Sequence, residues 1–288
     1  MSDHKGLYLF NRARLHDPAA DPAALLGFEH RWIAGHLDAF ARQDAPGDLL
    51  ALRHRLAQMI EDEQRDMPIS AHYVAEQMPI GQLRILVQEF AVDGLTEAQA
   101  FYYVLPRLTL EAQMPMLRIV IDELGSGNLK RAHTSLYIEL LRELDMPTEL
   151  AFYCERIEPA CFAFVNLFFW LSLRADDPSY FAGAITYLET TIPVFFECYV
   201  QACKRLGIKA HAYYSEHQHI DAFHAAEGQH LLRAMHATDS LDVMRAWHGA
   251  RLASEIARTA FETAVAKARR YSEHQDPFPR TPLLRSVG

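Results

Sequence analysis

The sequence predicts an all-α protein. Three observations carry that expectation. Apolar residues recur at helical spacing along most of the chain rather than in strict alternation. Gly and Pro number 13 and 14 in 288 residues, too few for the many turns of an all-β chain. Half the residues are hydrophobic, which supplies a large core and excludes a disordered chain.

Residues 22–42 place Leu25, Phe28, Trp32, Ile33, His36, Leu37 and Phe40 on one broad face. A turn at 43–48 (Gln-Asp-Ala-Pro-Gly-Asp) precedes a second amphipathic helix over 47–64. Met67-Pro68 and Met78-Pro79 bracket a shorter element, and a helix follows over 80–92. Asp93-Gly94-Leu95-Thr96 is a break, with Thr96 as N-cap of a helix reaching 110. Further helices are expected over 113–124, from the glycines at 125 and 127 to 144, and over 148–157. Others follow over 159–174, 179–206 (stopped by Gly207), 211–236 and 239–271. The first 75 residues are expected to form a helical extension packed on a core of 76–271. The Pro-rich 272–288 stretch is expected to be an extended tail.

The formal charge of −9 argues against nucleic acid as a partner. No basic segment leads into a long apolar run at the N-terminus. The longest apolar stretch, 160–173, is shorter than the roughly 20 residues that span a bilayer, so no membrane partner is expected. Cys154, Cys161, Cys198 and Cys203 form no Cys-x-x-Cys pair and lie in apolar segments, as buried thiols of a reducing, cytoplasmic protein would.

The common catalytic loops are absent: there is no Walker A sequence, Gly-x-Ser-x-Gly or His-Glu-x-x-His. Fifteen histidines are many for this length, and they concentrate with carboxylates in 211–230. There His217, Asp221 and His224 follow i, i+4, i+7 spacing. At 3.6 residues per turn, i+4 lies at about +40° and i+7 at about −20°, so all three leave one narrow face. Two imidazoles and a carboxylate on one stripe suit iron, manganese or zinc. A His-rich solvated helix is the plain alternative. So are two Glu-x-x-His pairs, Glu216/His219 and Glu227/His230, although di-iron bundles take such pairs from different helices.

Two further segments offer ligands. Glu123 and His133 stand ten residues apart, which is about 80° off in a straight helix. Gly125 and Gly127 between them either break the helix so that both turn inward, or simply end it and leave His133 on the surface. Glu189 lies among Leu188, Val194 and Phe195, four residues before Pro193, which removes the amide that would bond its carbonyl. Glu197 is the competing carboxylate on that side.

In order, these are Asp-Glu-Leu-Gly-x-Gly-x5-His, Glu-x-x-x-Pro and His-x-x-x-Asp-x-x-His, the last starting 28 residues after Glu189. Over roughly residues 67–235 this resembles the heme-oxygenase-like di-iron oxidases and oxygenases, the iron-containing redox enzymes. The resemblance implies a heme-oxygenase-like helical bundle and a metal set of Glu123, His133, Glu189, His217, Asp221 and His224. It adds a first-helix glutamate, for which Glu97 fits best and Glu89 is the fallback. It implies two iron ions cycling between Fe(II) and Fe(III), dioxygen as co-substrate, a small-molecule substrate and an external electron donor. Four carboxylates would offset the +4 of two Fe(II) ions. Tyr213, Tyr214 and Glu216 are placed to orient the imidazoles.

Among the family's reactions we expect N-oxygenation or oxidative C–C cleavage of an amino-acid-derived substrate in a biosynthetic pathway. A medium-chain fatty-acid decarboxylase and a metal-free thiaminase-like hydrolase are the alternatives, and a helical partner-binding protein is a third. The N-terminal extension would suit a homodimer contact. The aromatic stretch Phe162, Phe164, Phe168, Phe169 and Trp170 is expected to be core packing rather than pocket. Arg118, Arg131 and Arg174 are candidates to anchor a substrate.

Overall fold

Every regular element among the described residues is helical. The computed structural model describes residues 3–16, 23–41, 45–271 and 278. The side chains of 219–222 and most of the expected tail lie outside the description. The helices are α1 (Asp3–His16), α2 (Ala23–Phe40), α3 (Leu49–Arg65), α4 (Ile69–Glu76), α5 (Ile80–Glu89) and α6 (Ala91–Gly94). Two short 3-10 helices, Glu97–Ala100 and Tyr102–Arg107, lead to α7 (Leu110–Glu123). Then come α8 (His133–Glu143), α9 (Leu150–Cys154), α10 (Pro159–Leu173), α11 (Ser179–Phe195), α12 (Glu197–Leu206), α13 (Ala212–Ala237) and α14 (Val243–Arg269). None is long and apolar enough to cross a membrane, and the four cysteines are buried and free.

The centre is a bundle in which α11 packs against both α13 and α14, α13 against α7, and α10 against α14. The α11–α14 crossing is backbone to backbone. A Cβ at Gly183 would stand 1.7 Å from the Ala246 carbonyl oxygen, and one at Gly249 would stand 1.9 Å from that of Tyr180. Only glycine allows the helices this close. At 159–173 the helix is apolar all round, and Phe162, Phe168, Phe169 and Trp170 are buried as core, as expected. Phe164 is only half-buried and lines a cavity, and Phe168 borders a smaller one.

The structure departs from the sequence reading at four places. Residues 3–16, to which no helix was ascribed, form α1 and pack on α10. Their buried face is interrupted by Asn11, which donates to Asn166 at 3.0 Å and accepts from Arg174 at 2.8 Å. A polar residue in the stripe hides helical periodicity. The expected helix over 97–110 is instead the pair of 3-10 turns, because Pro106 lacks the amide that an α-helix needs. Thr96 does not cap it: its hydroxyl donates backwards to the Val92 carbonyl at 2.6 Å. The expected single helix over 179–206 divides at Phe196 into α11 and α12, just past Pro193, whose missing amide frees the Glu189 carbonyl.

Candidate metal centre

Four elements bring acidic and imidazole side chains to one buried place. The first is the chain at Glu97, whose φ of 34° lies in the left-handed region. A non-glycine residue there stores roughly 1–3 kcal/mol of strain, held only because the surroundings enforce it. Its carboxylate accepts from the buried Tyr213 hydroxyl at 3.3 Å.

Next comes the end of α7 with the turn after it. Gly125 and Gly127 have φ of 64° and 81°, and Ser126 between them has 53°. A Cβ at Gly125 would meet the Ala132 amide at 2.5 Å, so the loop folds back on itself there. That reversal brings His133, at the start of α8, to 2.7 Å from Glu123 (Nδ1 to Oε2). Both are buried. The reading in which His133 lies on the surface is therefore wrong.

On α11 the buried Glu189 accepts from His224 Nδ1 at 3.0 Å. The fourth element is α13, which carries His217 and His224 on one buried face. Asp221 lies on the same helix, but its side chain is among those outside the description.

The donors form two groups. Glu97, Glu123, His133 and His217 each offer an atom within 4.8 Å of the others, and so do Glu123, Glu189 and His224. Glu123 belongs to both. His217 Nε2 is 3.6 Å from Glu97 Oε1, and His224 Nδ1 is 3.7 Å from Glu123 Oε1. The two competing carboxylates are elsewhere. Glu89 is buried against Lys267 at 2.6 Å and accepts the Glu158 amide at 2.8 Å, a structural ion pair. Glu197 is exposed and bound to Gln201 and Gln218. Glu227 pairs with Arg118 at 2.7 Å and belongs to neither donor group, while the His219 side chain of the other Glu-x-x-His pair lies outside the described residues. Arg174 is consumed by Glu29, and Arg131 is exposed.

Burial and mutual repulsion set the ionisation of these groups. Burial, and then Asp93 and Glu123, push Glu97 well above the carboxylate range. Burial, and then Glu123, raise Asp93 to about 7. Burial raises Glu189 against the pull of His224. Burial also disfavours ionised Glu123, but His133, His217 and His224 outweigh it and hold that group at about 2. His217 is held down to about 3 by burial and then by His133. It is therefore a neutral imidazole. Its Nδ1 lies 2.6 Å from the Tyr213 carbonyl, which can only accept, so Nδ1 carries the proton. Nε2 then presents a lone pair to a carboxylate oxygen, an arrangement that a cation would bridge. Crowded carboxylates short of positive charge, with neutral imidazole nitrogen facing them, fit iron well.

Sequence reasoning missed two nearby carboxylates. Asp93 lines the same cavity as Glu97 and His217 but lay in what read as a turn. Asp122, beside Glu123, has Oδ2 3.6 Å from His224 Nε2. Only the run of two acids hinted at it.

A cavity of about 520 Å³ opens on Glu97, Asp93 and His217 and is walled mainly by aromatic and aliphatic side chains from α11, α12, α13 and α14. A smaller one of about 60 Å³ touches Glu97, Glu123, Glu189 and His217. No curated protein matches the sequence. The profile of the iron-containing redox enzymes matches residues 84–258, a span that holds every donor named above. With its helical, heme-oxygenase-like bundle and its buried His and carboxylate groups, the chain belongs to the iron-containing redox enzyme family.

Proposed function

We propose that the protein is a di-iron, dioxygen-activating oxidase or oxygenase. Its metal set would be Glu97, Glu123, His133, Glu189, His217, Asp221 and His224. The observation that carries this reading is the pair of donor groups sharing Glu123, which suits two neighbouring ions bridged by one carboxylate. Iron bound there would supply the electrons that reduce dioxygen. The protein's own groups do the rest. Tyr213 holds the Glu97 carboxylate through its hydroxyl and the His217 ring through its carbonyl. Glu189 orients His224. The 60 Å³ space among the donors has room for a diatomic molecule, and the larger cavity seats the substrate.

The reaction we propose is N-oxygenation or oxidative C–C cleavage of a small amino-acid-derived molecule, with an external electron donor completing turnover. The apolar lining of the cavity favours a second reading, oxidative decarboxylation of a medium-chain fatty acid. A metal-free hydrolase would leave the donor groups without a use. The test is dioxygen uptake. Anaerobically reduced, iron-loaded protein mixed with air should consume dioxygen and show a transient visible absorption band. Absence of both from iron-loaded protein would contradict the proposal.

A further inference from the structure

We propose that the substrate carries a cationic nitrogen and that Glu63, on α3, receives it. The inference rests on the function proposed above only in placing the substrate's reacting end at the metal centre.

Glu63 lines the 520 Å³ cavity. Its two oxygens accept from the Tyr187 hydroxyl and the Ser254 hydroxyl, each at 2.5 Å, from α11 and α14. Both donors are neutral. The neighbouring carboxylates differ: Asp62 and Asp66 share Arg65 at 2.6 and 3.6 Å. Glu63 forms no ion pair among the described residues. Phe195, Tyr199 and Phe261 line the same cavity. A half-buried carboxylate held only by hydroxyls, facing a cavity with aromatic lining, can take a charge-assisted hydrogen bond from a cation. Aromatic faces add to that preference.

Tyr199 and Tyr214, each 3% exposed, stack on one another with ring centroids 4.6 Å apart and line the same cavity. The cavity also reaches Glu97 and His217. An alkyl or aryl amine, or a guanidine, with its cation on Glu63 and its body among the aromatic rings, fits this arrangement. Residue 63 lies outside the 84–258 span that the family profile matches. Arg258 also lines the cavity, exposed and without an ion pair among the described residues. A carboxylate seated on Arg258 is the competing arrangement.

Calorimetric titration of the full-length protein at pH 7, loaded anaerobically with Fe(II) so that the carboxylates of the metal centre are engaged, with octylamine, 1-octanol and octanoate separates the two. Octylamine should bind at least about ten-fold more tightly than 1-octanol, as a charge-assisted hydrogen bond requires. Glu63→Gln should remove that preference while leaving 1-octanol within about two-fold. Tyr187→Phe should reduce it in part. Tighter binding of octanoate that is lost in Arg258→Ala would overturn the proposal. So would an amine preference that survives in Glu63→Gln, or failure of octylamine to bind the folded wild type. Iron content measured on the same preparations keeps the readings apart. Failed iron loading contradicts the di-iron function and leaves the amine result standing.

Discussion

Glu123 is the residue on which both donor groups depend, and that makes its substitution unlike any other at the site. Glu123→Gln should reduce iron binding at both positions, whereas His224→Ala should spare the group formed by Glu97, His133 and His217. Metal analysis of the two variants checks this. Asp93 supports a prediction on pH. Its folded pKa of about 7 is raised from 3.8, so ionising it works against the metal-free fold. That penalty is absent below the unfolded value and complete above the folded one. Asp93→Asn should therefore leave the metal-free protein's Tm unchanged near pH 4. It should raise the Tm increasingly towards pH 7, as thermal melts across that range would show. At this scale the sequence was informative where spacing on one helix sufficed, as for His217 and His224. It was silent on Asp93 and Glu63, because their roles arise from neighbours on other helices.

The elements owe their positions to a few backbone devices. The α11–α14 crossing requires no side chain at Gly249, so Gly249→Ala should cost about 3 kcal/mol or more by overpacking. Gly35 in α2 has nothing within 4 Å of its virtual Cβ, and Gly35→Ala should stabilise by about 0.5–1 kcal/mol. Denaturant melts of the two variants should move in opposite directions. Most helices were readable because their apolar stripes are clean. The Gly125-Ser126-Gly127 reversal was readable as a possibility only, since the same glycines also end helices. The 3-10 turns at 97–107 were not, because the left-handed Glu97 is enforced by tertiary contacts rather than by its own propensity.

Across the whole molecule, the net charge of −9 takes on a local meaning. Several of the carboxylates lie buried around one site, where their mutual repulsion leaves room for cationic charge. Residues before the matched span 84–258 also contribute. α1 packs on α10 through Asn11, which meets Asn166 and Arg174, α2 adds the Glu29–Arg174 pair, and α3 places Glu63 in the cavity wall. Helical periodicity together with composition made the all-α class legible, and the order of three short motifs made the family legible. The cavity's contents were not, since a pocket is assembled from residues far apart in the chain. The central claim is that this bundle holds two iron ions on shared carboxylate. Anaerobic Fe(II) titration of the full chain, read by metal analysis after desalting, tests it most directly. The account predicts two irons per chain in the wild type and about one or fewer in His217→Ala. A wild type that retains no iron, or a His217→Ala variant that still retains two, would contradict it.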